Sequence, residues 1–120
     1  FPGFLNDART AIRTANPNGR ISFNNVVGYG QSQVAASSVD MMYREVWNFG
    51  GDWEYNDMSN IIDALAGYGK PVVIAAYMNY DEAKVNPAGS YFNEPSVRLV
   101  NAVITAKGAA HLKSAQATKC

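Results

Sequence analysis

The run Pro71-Val-Val-Ile-Ala-Ala-Tyr-Met-Asn79 constrains the fold more than any other stretch of this chain. In a strand with one wet face, apolar and polar residues alternate. Here Val72, Val73, Ile74, Ala75 and Ala76 form an unbroken apolar block. That is the pattern of a strand buried on both faces, and such strands belong to parallel sheets covered by helices. Parallel strands also need a crossover segment, usually helical, to bring the chain back.

The flanking sequence supplies the crossovers. Met58, Ile61, Ile62, Leu65 and Ala66 recur at helical spacing ahead of the apolar run and stop at Gly67 and Gly69. Downstream, Glu94-Pro95 opens a second helix carrying Val97, Leu99, Val100, Val103 and Ile104, with Pro in the first turn where its missing N–H costs nothing. Gly108 ends that helix, and 109–112 can begin a fourth strand. Near the start, Phe4, Leu5, Ala8, Ile12 and Ala15 define another helix, stopped by Asn16-Pro-Asn-Gly19. Strands are expected at about 20–27, 39–47 and 71–79, with a short crossover over 31–36.

Strands alternating with helices define an α/β class. A (β/α)8 barrel of about 250 residues uses about 31 per unit. The 120 residues thus correspond to about four consecutive units, a partial barrel occupying the whole of 1–120. The rival is a small doubly wound sheet complete in itself. Gly28-Tyr-Gly30 is too short to cradle a pyrophosphate, so nucleotide binding has no support.

Ten basic and ten acidic residues are scattered without runs, which argues against nucleic-acid or anionic-membrane partners. The apolar run near 71–78 is far shorter than the roughly 20 residues of a membrane span. Cys120 is the single cysteine and His111 the single histidine. No Cys-based or His-pair metal site can be built, and no metal or cofactor is expected. With no initiating Met and no signal-like segment at Phe1, the start reads as the interior of a longer chain.

Chemistry-bearing residues gather where the strands end. Asn24, Asn25 and Tyr29 follow the first, Glu45 and Trp47 close the second, and Asn79, Tyr80 and Asp81 close the third. Alternation puts Met41, Tyr43, Glu45 and Trp47 on one face. In a barrel with that face inward, Glu45 reaches the mouth, where barrel enzymes keep their catalytic groups. Aromatic neighbours can stack on sugar rings, and a low-dielectric surround favours the protonated form a general acid needs. The plainer reading pairs Glu45 with Arg44 or another cation and leaves the Asn residues as turn caps. Periodicity does not choose between the two.

The motifs do. Phe23-Asn-Asn-Val-Val-Gly-Tyr-Gly30, Tyr43-Arg-Glu-Val-Trp47, Ala75-Ala-Tyr-Met-Asn-Tyr-Asp81, Tyr91-Phe-Asn93, Asn101-Ala-Val-Ile-Thr-Ala106 and Gly108-Ala-Ala-His-Leu112 resemble successive blocks of glycoside hydrolase family 66. Order and spacing agree from about Phe1 to Leu112. The family comprises endo-dextranases and cycloisomaltooligosaccharide glucanotransferases.

The resemblance implies the later half of a (β/α)8 catalytic barrel that cleaves α-1,6-glucosidic bonds with retention. Glu45 is then the acid/base, and the nucleophilic Asp lies on an earlier strand that nothing here matches. Asn25, Tyr43, Trp47, Asn79, Tyr80 and Asp81 are expected to line the glucan subsites. The implied partners are a dextran or isomaltooligosaccharide substrate and the remaining half of the barrel, and the implied setting is extracellular. Arg44 departs from a smaller, Thr-like residue and would favour the charged form of an acid beside it. Val27 and Asn101 also differ, and Lys113-Ser-Ala-Gln116 departs most. The non-enzymatic alternative is a stand-alone α/β carbohydrate-binding module stacking sugars on Tyr29, Trp47 and Tyr80.

Overall fold

The structure, a computed structural model, describes residues 1–25, 28–47, 55–77 and 94–112. Helix α1 spans Pro2–Ala15, α2 Gln31–Ala36, α3 Tyr55–Ala66 and α4 Glu94–Ala106; strands β1, β2 and β3 span Met42–Trp47, Val72–Tyr77 and Ala110–His111. The strands form one parallel sheet in the order β1-β2-β3, so the apolar run is its central strand. Met42 pairs with Val72 and Trp47 with Tyr77, while Val73 and Ile74 pair with Ala110 and His111. The result is a mixed α/β unit with a small parallel sheet, and the expected fourth strand is present as β3.

One sheet face is closed by helices. Met42 and Val46 of β1 and Val72 and Ile74 of β2 join Met58, Ile62 and Leu65 of α3 and Val100 and Ile104 of α4 in a single core. Seven of these (Met42, Met58, Ile62, Leu65, Ile74, Val100 and Ile104) keep no more than 1 % of their surface in contact with solvent. Their spacing is period two on the strands and three to four on the helices, which is why the two kinds of element meet along one surface. Leu5 of α1 and Val34 of α2 extend the core.

Strand limits differ from the sequence expectation for reasons visible in the backbone bonding. The second strand begins at Met42 rather than near 39 because the preceding backbone is used elsewhere. The Val39 carbonyl accepts from Lys70 Nζ at 2.7 Å, and the Asp40 N–H donates to the Ile21 carbonyl at 2.9 Å. Over 20–25 the expected strand is reduced to one parallel bridge, Asn24 to Tyr43. The Ile21 N–H, which a ladder would need, donates instead to Asp40 Oδ2 at 3.0 Å.

Asp40 joins three segments. Its Oδ1 also accepts from Arg9 at 2.9 Å and Arg13 at 3.0 Å, which fastens α1 to the start of β1. The chain leaves α1 through a tight turn in which the Gly19 N–H donates to the Asn16 carbonyl. A Cβ on Gly19 would lie 2.5 Å from Ile12 Cγ2 and 2.9 Å from that carbonyl oxygen, so only glycine allows the approach.

Candidate active site

Because β1 alternates, Met42, Arg44 and Val46 take one face and Tyr43 and Glu45 the other. Burial of Met42 and Val46 fixes which is which: the helix-covered face is theirs, and Glu45 stands on the opposite one. Glu45 is half-buried, with Ala75 beside it on β2 and the Asn24–Tyr43 bridge on its other flank. Asn24 Nδ2 donates to Glu45 Oε1 at 2.8 Å.

Arg44 does not stand beside Glu45, as adjacency in sequence suggested. Its guanidinium lies against Gly28, where a Cβ would come within 2.9 Å of Nη1. Gly28 has φ of 80°, a conformation that L side chains rarely adopt, so glycine serves both the turn and the contact. Burial pushes the Arg44 pKa below the ordinary arginine value. Its buried Nε has no hydrogen-bond partner among the described residues.

The bridge also sorts the two asparagines. Asn24 pairs with Tyr43 and so shares the Glu45 face, whereas Asn25 turns the other way. Asn25 is 7 % exposed, and its Nδ2 donates to the Tyr29 carbonyl at 2.6 Å. That bond closes the turn bearing Gly28 and Gly30, both at positive φ, and leaves Tyr29 87 % exposed at its tip. Of the expected site residues, Tyr43 and Glu45 therefore share a face, and Asn25 sits apart from them as a turn brace. Trp47 ends β1 opposite Tyr77. Asn79, Tyr80 and Asp81 lie outside the described residues.

Among the described residues, no three His, Cys, Asp or Glu side chains gather as a metal cluster would. No helix among them is long and apolar enough to cross a membrane. What the arrangement holds is a carboxylate able to exchange a proton, on the sheet face opposite the helices, with a neutral donor on one oxygen.

Compared with known families, residues 1–117 match glycosyl hydrolase family 66. The chain belongs to that family. Two curated relatives are cycloisomaltooligosaccharide glucanotransferases of Niallia circulans. One is 30 % identical over 109 residues, covering 84 % of this chain and 11 % of the relative. The other is 36 % identical over 90 residues, covering 68 % and 9 %. A solved structure, the cycloisomaltooligosaccharide glucanotransferase of Paenibacillus sp. in complex with cycloisomaltoheptaose, is 33 % identical with a TM-score of 0.57. That similarity covers 69 % of this chain and 13 % of the other. This family 66 chain thus spans about a tenth of the length of the curated relatives it matches. The match continues past Leu112 to residue 117, through much of the stretch that departed most from the motifs.

Proposed function

We propose that this chain is part of the catalytic barrel of a secreted, retaining enzyme acting on α-1,6-linked glucan, with Glu45 as its general acid/base. One observation carries the reading. In a chain of family 66, the Glu of the Tyr-x-Glu-Val-Trp block stands near the C-terminal end of a parallel strand, on the face turned away from the helices. Active sites of (β/α)8 enzymes are built at that end of the strands.

The chemistry is a double displacement. Glu45 gives its proton to the glucosidic oxygen as the C–O bond breaks, and an Asp carboxylate on an earlier strand of the longer protein bonds to the anomeric carbon. Glu45 then takes a proton from the incoming oxygen, which displaces the Asp. Water as acceptor gives hydrolysis, and a sugar hydroxyl gives transglycosylation. Tyr43, Trp47, Asn79, Tyr80 and Asp81 would line the subsites. Asn24 replaces Asn25 in this set, because the Asn25 amide is spent on the Tyr29 carbonyl.

In the longer protein carrying this segment, Glu45→Gln keeps the shape but cannot cycle a proton. Dextran cleavage should fall by about 10²–10⁴-fold with isomaltooligosaccharide affinity little changed, as is typical when a general acid is removed. Near-normal cleavage by the variant would remove Glu45 from the mechanism. Binding with no cleavage even in the unmutated protein would favour the binding-module reading.

A further inference from the structure

We propose that Tyr29 forms a remote glucan subsite, its ring stacking on a glucosyl unit away from the bond being cleaved. The proposal rests on the reading of the substrate as α-1,6-linked glucan.

Among the described residues, Tyr29 is the most exposed of the large apolar and aromatic side chains, at 87 %. Its backbone, in contrast, is held from both sides. The buried Asn25 amide donates to the Tyr29 carbonyl at 2.6 Å. Gly28, before it, packs on the Arg44 guanidinium. Gly30, after it, accepts the Val34 N–H at 3.0 Å in the first turn of α2. A buried amide and a half-buried arginine thus hold a turn whose one large side chain does no packing. Such a ring is placed in advance, so little freedom is lost when a ligand settles on it.

The turn also stands at the end of the sheet where the chemistry is expected. The Asn24–Tyr43 bridge is parallel, so from residue 24 the chain runs toward the end of β1 that carries Glu45. Then α2 follows the turn on the way back to the start of β1. Turns that follow strands at this end form the mouth of a (β/α)8 enzyme. Asn24 touches Glu45 and its neighbour Asn25 reaches Tyr29, so one dipeptide links the carboxylate to the turn. Because the two amides point to opposite faces, Tyr29 belongs to the rim rather than to the cleavage point.

The chemistry of the ring suits a glucosyl unit. A pyranose presents flat patches of C–H bonds that lie against an aromatic face, and the phenol hydroxyl both gives and takes hydrogen bonds. Two torsions place the whole tyrosine ring, so it loses little rotamer freedom on binding. An α-1,6 linkage runs through an exocyclic carbon and carries an extra rotatable bond, which makes the polymer flexible. An anchor away from the scissile bond offsets the loss of that freedom before the reacting unit meets Glu45.

The test compares Tyr29→Ala and Tyr29→Phe with the unmutated longer protein. Two substrates are used: long dextran, and isomaltotriose, which fills little beyond the units flanking the cleaved bond. With Tyr29→Ala, kcat/KM on dextran should fall about 10-fold, chiefly through KM, the scale of one lost aromatic contact. The loss on isomaltotriose should be clearly smaller. Tyr29→Phe keeps the stacking face and should lose far less than Tyr29→Ala on dextran. In a Glu45→Gln background, calorimetry should show Tyr29→Ala weakening a long isomaltooligosaccharide by the same factor. Equal losses on the two substrates, or no loss on dextran, would overturn the subsite. Equal losses with a lowered melting temperature would instead place the ring against the rest of the longer protein. An unmutated protein that neither binds nor cleaves α-1,6-linked glucan would overturn the substrate reading beneath the proposal, a result independent of any Tyr29 variant.

Discussion

At the scale of single residues, the site depends on parity. Asn24 and Asn25 are identical side chains one position apart, yet one meets the carboxylate and the other braces a turn. The sequence marks both as polar residues at a strand end. Their faces follow only from the pairing of residue 24 with residue 43, a long-range register that local pattern does not encode. Arg44 illustrates the same rule: next to Glu45 in sequence, it is turned to the opposite face and onto Gly28. Gly28 and Gly69 both hold positive φ, but only Gly28 has a side chain where a Cβ would go. Each Gly→Ala change should cost roughly 1–2 kcal/mol of backbone strain. Gly28→Ala should cost more, because the guanidinium must also move. Urea unfolding of the longer protein should show that excess disappearing in an Arg44→Thr background. An excess that persists there would mean Arg44 is not its source.

At the scale of elements, most of the fold is legible in hydrophobic spacing. The apolar run is the central strand, and the helices before and after it carry the periodicities that face it. The strand starts are less legible, because side chains compete for the backbone. Lys70 takes the Val39 carbonyl and Asp40 takes the Ile21 N–H, which shortens two expected strands. Asp40 also gives the attachment of α1 a pH dependence. The Arg9 hydrogen bond first, then the Ile21 N–H and the nearby positive charges, hold its carboxyl well below the usual carboxylate range. A carboxyl depressed on folding contributes stability above its unfolded pKa and loses it as pH falls toward the folded value. The α1 attachment should therefore weaken below about pH 4, the ordinary range of an Asp. Hydrogen exchange of the α1 amides should follow that loss. In Asp40→Asn, protection should already be low at neutral pH and nearly flat below it. A wild-type profile with no loss of protection in acid would show that other contacts hold the helix.

At the scale of the whole molecule, the described helices cover one face of the sheet. Helices bury Met42, Val46, Val72 and Ile74, whereas on the opposite face Tyr43, Glu45 and Val73 are half-covered and Ala75 is buried. Among the described residues, no strand takes up the outer edge past β3, and the flank of β1 carries a single bridge, from Asn24. Leu112, just beyond β3, is half exposed. An unpaired edge is a template for another strand, and an open apolar face favours association. In a closed barrel, strands from the rest of the longer protein would take up both surfaces. Residues 1–120 on their own should therefore self-associate or fold only loosely. They should also fail to cleave dextran, because a double displacement needs two carboxylates in one site. Sedimentation velocity and a reducing-sugar assay on the purified 120-residue chain test both expectations. A stable, inactive monomer would show that the half-covered face tolerates water. A monomer that cleaves dextran would put the second carboxylate within this chain, and Asp81→Asn would be the first variant to make.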